Sequence, residues 1–277
     1  MSVSTPAVKV PPTAALAVAW RQAPSAVPVA YVGGGTALQL AWGVEQPPPA
    51  MTLIDVTQGA VPAGVALHDG MLHLGAATRL EALRTDARVR AHAPLLAQAL
   101  DALGALSVRH LATLGGNIGW RWGDTLAALL ALDAEAEVDT DPVPRPLAEV
   151  LRRPVLPLVR AVRVPLPAAA PVAVYEKVGA RAAFSPSRLA LAIRAQLAHG
   201  RLHGLRLAAT AAALPARRLA RAEAVLDGAD RRALPTRAGD LRAALQQDLH
   251  DDTDPQRVRL AARLLLGHLN RRLPHSA

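Results

Sequence analysis

The sequence predicts an α+β protein with a two-part N-terminal domain over residues 1–167 and a smaller C-terminal α+β domain over residues 172–277. Three observations lead there. Near the N-terminus an apolar strand runs into a glycine cluster and then a helix, the pattern of a small α/β unit covering about residues 1–58. A second mixed stretch, about 59–167, opens with its own hairpin signal. Finally Pro165–Pro171 places three prolines and three alanines in seven residues, a natural boundary, and three strands then three helices follow it.

In the first part, Thr13–Arg21 reads as a short helix, Val27–Val32 as a strand, Thr36–Trp42 as a helix and Met51–Val56 as a strand, with Pro47-Pro48-Pro49 interrupting the chain. In the second, Val65–Leu67 and Met71–Leu74 flank His68-Asp69-Gly70, a hairpin through its Asp-Gly pair. Thr78 is placed to cap a helix over Arg79–Arg84. A helix over Pro94–Leu103, a glycine-rich loop over Val108–Gly123 and an apolar segment over Thr125–Leu132 come next. Ala136–Val138 and Leu158–Val164 read as strands. Beyond the boundary, strands are expected at Val172–Val178, Leu189–Arg194 and Leu205–Thr210, with His199-Gly200 and His203-Gly204 marking the turn between the last two. Pro215 opens a helix through Leu226, and helices over Arg237–Leu249 and Pro255–Leu273 complete the chain, the last capped by Asp254.

Composition narrows the function. Hydrophobic residues make up 51% of the 277, so the chain can bury a substantial core, and with aromatics at 3% that core is built from Ala, Leu and Val. Scarce aromatics also leave few platforms for stacking bases. The formal charge of +9 is almost all arginine, with lysines only at Lys9 and Lys177, and the arginines lie scattered among acids. Such a surface suits an acidic partner or an anionic ligand better than nucleic acid. With no cysteine, the chain offers no thiolate for an iron–sulfur cluster, a disulfide or a zinc site. His199 and His203 lack a third ligand, and Asp251, Asp252 and Asp254 lack the spacing of a calcium loop. Met1–Pro12 has no long apolar run and Ala14–Ala19 is too short to span a bilayer, so the expectation is a cytoplasmic protein without a membrane span, with co-export by a partner as the other route.

The chemistry concentrates in glycine-rich segments. Val32-Gly33-Gly34-Gly35-Thr36 sits between a strand and a helix, where free backbone N–H groups and a helix N-terminus favour an anion. A tight strand-to-helix turn explains the same residues equally well. The spacing does not fit other known loops: a dinucleotide fingerprint would need glycine at Leu38, no Gly-Lys-Ser/Thr occurs, and Gly-x-Ser-x-Gly is absent.

The second segment, Val108-Arg109-His110-Leu111-Ala112-Thr113-Leu114-Gly115-Gly116-Asn117-Ile118, resembles the second FAD loop of the flavoprotein subunits of the xanthine dehydrogenase and carbon monoxide dehydrogenase family, the molybdenum hydroxylases. Gly33-Gly34-Gly35-Thr36-Ala37-Leu38 then resembles that family's first FAD loop. The likeness continues through Asp124 and Ala128–Ala134, Val162–Pro165, Tyr175-Glu176-Lys177-Val178-Gly179-Ala180-Arg181, Pro215–Glu223 and Asp254–Leu273.

The resemblance implies a two-part FAD domain of the vanillyl-alcohol oxidase (PCMH) type and a smaller C-terminal domain with a three-stranded sheet and helices. It implies FAD as the cofactor, with backbone N–H groups of Gly33–Ala37 and Thr113–Asn117 on the diphosphate and the Thr36 and Thr113 hydroxyls assisting. The cofactor-binding set it implies is Val32, Gly33, Gly34, Gly35, Thr36, Ala37, Leu38, Ala112, Thr113, Leu114, Gly115, Gly116, Asn117, Asp124, Val159 and Lys177. Within it Asp124 meets the adenosine side, while Val159 and Lys177 meet the flavin ring. Trp120-Arg121-Trp122 stands where the family has small polar residues, and its indoles could shield the flavin or dock a partner. The implied role is an oxidoreductase subunit without a catalytic acid, base or metal of its own. It would take electrons from an iron–sulfur subunit, served by a molybdopterin subunit, and pass them to NAD or another acceptor. The alternative is a structural subunit of the same fold that has lost FAD.

Overall fold

The computed structural model describes residues 6–43, 49–166, 172–179, 187–252 and 254–273. Pro47 and Pro48, residues 167–171 of the proline-rich boundary, and Ala180-Arg181 lie outside the described residues. The N-terminal part contains β1 (Ala7–Lys9), α1 (Ala14–Gln22), β2 (Val29–Val32), α2 (Thr36–Trp42) and β3 (Thr52–Asp55). The three strands form a parallel sheet in the order β1-β3-β2. Parallel neighbours need crossovers, which the helices supply. Thr13 opens α1 as its N-cap, its hydroxyl accepting from the Leu16 N–H at 3.2 Å. β1 is three exposed residues with no alternation to announce it, and only its pairing with β3 makes it a strand.

The middle part runs β4 (Val65–His68), β5 (Met71–Gly75), α3 (Leu80–Thr85), α4 (Ala87–His92), α5 (Pro94–Asp101), α6 (Leu106–Leu111), α7 (Leu114–Gly119), α8 (Thr125–Ala131), β6 (Glu135–Val138), β7 (Arg145–Pro146), α9 (Leu147–Arg152) and β8 (Val159–Pro165). Its strands form an antiparallel sheet, β4-β5-β8-β6-β7. Asp69 and Gly70 both have positive φ, 52° and 69°, as the two-residue hairpin turn requires. Two expectations change here. Thr78 does not cap α3: its hydroxyl donates to Gly75 O at 2.6 Å and accepts from the Gly64 N–H at 2.8 Å, tying two chain reversals together. The stretch Val108–Gly123 is not one loop, since α6 and α7 occupy most of it.

The C-terminal part comprises β9 (Val172–Gly179), β10 (Ser187–Ala198), β11 (Arg201–Ala211), β12 (Leu214–Arg218), α10 (Ala220–Leu226), α11 (Ala233–Thr236), α12 (Ala238–Asp248) and α13 (Pro255–Arg272). The sheet has four strands, β12-β11-β10-β9, where three were expected. Pro215 does not open a helix, because 214–218 pairs with β11 and the helix starts at Ala220. β12 is an edge strand, the one setting in which a proline is tolerated in a sheet. Only His199-Gly200 makes the β10–β11 turn, since His203 and Gly204 lie inside β11.

Alternation in this sheet explains how it docks. Ala190, Ala192 and Ala208, with Tyr175, join the core of the N-terminal and middle parts, while Leu189, Leu191, Ile193 and Leu207 point to the opposite face and join the core under the C-terminal helices. Small side chains on the first face let α8 approach the sheet closely. Every residue of α8 is buried, as expected for a helix surrounded by protein. Just beyond α8, Asp133 adopts a left-handed backbone (φ 53°) and receives Arg218 at 2.8 Å, Arg206 at 3.0 Å and Arg194 at 3.2 Å, one arginine from each of three strands. Arg218 also pairs with Glu223 at 2.7 Å, whose other oxygen accepts from the Leu207 N–H.

A second ionic cluster holds α6. Glu81 is buried on α3 and pairs with Arg84 and Arg109, both at 2.6 Å. Hydrogen bonds from Arg84 and then Arg109 lower its carboxyl pKa to about 2. Arg109 donates in addition to Leu103 O at 2.8 Å and Gly104 O at 2.7 Å, fixing the start of α6. No helix among the described residues is long and apolar enough to cross a membrane.

Two outcomes follow for stability. Leu129→Ala, at a fully buried position of α8, is expected to cost roughly 2–5 kcal/mol, read by denaturant unfolding. A carboxyl whose pKa is depressed on folding stabilises the native state above its unfolded value and loses that contribution as pH falls through the folded one. Thermal scans should therefore show Glu81→Gln melting below the wild type at pH 6, the gap closing as pH drops from 4.5 towards 2. A gap that persists at pH 2 would contradict the assignment.

Candidate functional site

A cleft of about 1180 Å³ opens between the β2–α2 turn, the α6–α7 region and the start of β8, closed at one end by the C-terminal sheet. It exceeds the roughly 300–1,000 Å³ of sites for drug-sized ligands, so an extended ligand the size of a dinucleotide is within reach.

Val32, Gly33, Gly34, Gly35, Thr36, Ala37 and Leu38 line one wall. Gly35 has φ +72°, a left-handed conformation that favours glycine. The helix it opens, α2, has no side-chain cap and no acid in its first turn, so its leading N–H groups keep their donors for an anion in the cleft. Gly33 and Gly34 have a different duty. A Cβ on Gly33 would strike the Thr113 hydroxyl, and one on Gly34 would land inside the Leu111 carbonyl group. The two glycine segments are in backbone contact with each other.

Ala112, Thr113, Gly115, Gly116 and Asn117 line the facing wall. Leu114 does not: its side chain is fully buried in the core. The backbone of this segment also departs from expectation. Leu114 N–H donates to Thr78 O at 3.0 Å, Gly115 N–H to Ala76 O at 2.8 Å, Gly116 N–H to Thr113 Oγ1 at 3.1 Å and Asn117 N–H to Thr113 O at 2.9 Å. All four N–H groups are engaged within the protein, because 76–80 runs beside 112–115 and Thr113 caps α7. What this wall turns to the cleft is side-chain surface, with Thr113 itself almost fully buried. Asn117 is oriented by the Thr125 hydroxyl, which donates to its Oδ1 at 2.5 Å.

At the C-terminal end, Asp124 is a junction. Its carboxylate accepts from Lys177 Nζ and from Ser187 Oγ, each at 2.6 Å, and its backbone carbonyl accepts from the Tyr175 hydroxyl at 3.0 Å. Burial, and then the Asp124 charge, raise the Tyr175 pKa well above 10, so the hydroxyl stays a donor. Gln98 fixes the same strand, accepting from Tyr175 N–H at 2.9 Å and donating to Ala173 O at 3.4 Å. Asp124, Lys177, Ser187 and Val159 all line the cleft, and Val159 is nearly buried at the start of β8. Asp124, expected on the adenosine side, and Lys177, expected at the flavin ring, share a hydrogen bond and so border the same region of the cleft.

Further lining groups are Arg21, Tyr31, Trp120, Arg121 and Trp122, of which the sequence marked only the Trp-Arg-Trp run. Arg21 lies 5.8 Å from the Tyr31 ring, and burial with the nearby Asp139 charge raises the Tyr31 pKa to about 12. Tyr175 and Ser187 were also missed as site residues; Tyr175 stands in the same alternating strand as Lys177, which was the available signal. Among the described residues no three His, Asp or Glu side chains gather into a metal site.

The family model of the FAD binding domain in molybdopterin dehydrogenase matches residues 7–166. The xanthine dehydrogenase FAD-binding subunit of Escherichia coli O157:H7 is 33% identical over 89 residues, and the match spans only 31% of this chain and 30% of that subunit. Among solved structures, the reconstituted CO dehydrogenase from Oligotropha carboxidovorans superposes with a TM-score of 0.81 at 19% identity, covering 98% of this chain and 100% of that one. The carbon monoxide dehydrogenase from Hydrogenophaga pseudoflava gives 0.78 at 23% identity, with 99% and 97% covered. At these identities the two structures share the fold. The family match extends over more than half of the sequence and includes both glycine segments, and the chain belongs to the family of FAD-binding domains of molybdopterin dehydrogenases.

Proposed function

We propose that this chain holds FAD in the cleft as the electron-transfer subunit of a heteromeric molybdenum hydroxylase. It takes electrons from an iron–sulfur partner, which a molybdopterin subunit supplies, and passes them to NAD or another acceptor. The observation that carries the reading is the uncapped Gly33–Leu38 turn opening on a dinucleotide-sized cleft. The absence of cysteine from the sequence agrees with clusters carried elsewhere in the complex. Two separate buried cores, and a family match that stops at residue 166, support a division into domains at 1–167 and 172–277.

The residues fit the cofactor by role. Backbone N–H groups at the start of α2, with the Thr36 hydroxyl, offer donors to a diphosphate, and Thr113 adds a hydroxyl beside Gly33. Gly115 and Gly116 contribute close approach without a Cβ, rather than N–H donors. Val159 offers an apolar wall and Lys177, steadied by Asp124, a cation for the ring end. FAD when bound supplies the capacity to accept and release electrons, and the chain tunes it through the charges and dipoles placed around the ring.

Purified wild-type chain incubated with FAD should be yellow after desalting and should release flavin on denaturation. Gly34→Ala should lose most of that flavin, because its methyl group displaces the Leu111 carbonyl and parts the two walls, while far-UV circular dichroism stays near wild type. A colourless wild type that cannot be reconstituted would overturn the proposal in favour of a structural subunit without FAD.

A further inference from the structure

The chain has one Phe, two Tyr and four Trp in 277 residues, and three of these, Tyr31, Trp120 and Trp122, line the cleft. The two indoles lie 5.2 Å apart at 78° to each other, an edge-to-face pair. Trp120 is half-buried and Trp122 is 36% exposed, the surface of a large aromatic group left open beside the cavity.

The residue between them explains how they are held. Arg121 has φ +61°, a conformation that residues with a Cβ seldom adopt. Its guanidinium donates to the carbonyls of Leu151 at 2.6 Å, Arg153 at 2.5 Å and Pro154 at 3.0 Å, and its own carbonyl accepts from the Ala216 N–H at 3.1 Å. The segment is thus clamped to the α9–β8 connection and to β12. None of these bonds reaches into the cleft, so the clamp's effect is to fix the two rings. The Pro154–Leu158 stretch that it grips lines the same cavity. Gly123 and Asp124 follow directly, and Gly123 lies tight against Asn117, where a Cβ would collide with the amide. The indoles therefore border the Asp124–Lys177 end of the cleft.

Resting on the reading that FAD occupies the cleft, we propose that Trp120 and Trp122 form the seat of its isoalloxazine ring. A planar ring stacked on one indole of a perpendicular pair meets the other at its edge, so the pair fixes both the plane and the lateral position of the ring. Trp120 and Trp122 are positioning residues in this role, and Arg121 acts through them.

The test uses the full chain with FAD, riboflavin and ADP as separate ligands, in wild type, Trp120→Leu, Trp122→Leu and a double phenylalanine variant. An indole stacked on the flavin quenches its emission by donating an electron to the excited ring, so flavin bound to wild type should be nearly dark. Each leucine variant should weaken FAD and riboflavin binding roughly tenfold and leave ADP binding unchanged. The double variant Trp120→Phe/Trp122→Phe should hold flavin close to wild-type affinity while its emission returns, an outcome that a merely structural role would not produce. Leucine variants that bind FAD and riboflavin as wild type does would overturn the proposal. So would a loss falling on ADP instead, which would make the pair a seat for adenine. A wild type that takes up no flavin would overturn the FAD reading itself, which separates that failure from this one.

Discussion

The site depends on one close approach, that of the Gly33-Gly34 backbone to the backbone of Leu111–Thr113. Neither glycine tolerates a side chain, since a Cβ at Gly34 would occupy the position of a carbonyl group. Both walls of the cleft start from this contact. On one side β2 delivers the glycines and α2 leaves with uncapped N–H groups. On the other, Leu111 is held where it must be: the Arg79 guanidinium donates to its carbonyl, Leu80 N–H donates to Ala112 O, and the Glu81–Arg109 pair anchors the helix that ends there. The glycines that look designed for a ligand are thus first a packing requirement, and the open N–H groups beside them are its consequence.

The far end of the cleft depends on the docking of the C-terminal sheet. Alanines on its inner face let it lie flat on α8, and three arginines converging on Asp133 fix its position. That placement brings Lys177, Tyr175 and Ser187 to Asp124, which begins the same helix. A cavity wall, a cation and a buried hydroxyl donor are therefore products of one interface. Loosening α8 should disturb the ring end of the site before it disturbs the glycine end.

Much of this was legible in the sequence where local chemistry decides structure. The strand–glycine–helix run at 27–42, the Asp69-Gly70 hairpin and the capped terminal helix at Asp254 each follow from turn and capping preferences. The family resemblance located all but one of the expected site residues on the cleft wall. What escaped was set by distant partners. α6 and α7 are six-residue helices, α7 including three glycines, and tertiary hydrogen bonds from 76–80 and the Thr113 cap hold the region in place. β12 looked helical because its proline is acceptable only at a sheet edge, and the edge exists only once β11 is in place. The engagement of the Leu114–Asn117 N–H groups and the Asp124–Lys177 pair, whose members lie 53 residues apart, leave no local mark.

The central claim is that the ligand's diphosphate is held by the first glycine turn through its N–H groups, while the Leu114–Asn117 N–H groups take no part. Amide hydrogen exchange with and without FAD measures this directly. Residues 33–38 should exchange fast in the free protein and become protected on binding, while 114–117, already bonded internally, should be protected in both states and change little. Strong new protection at 114–117 with none at 33–38 would contradict the account.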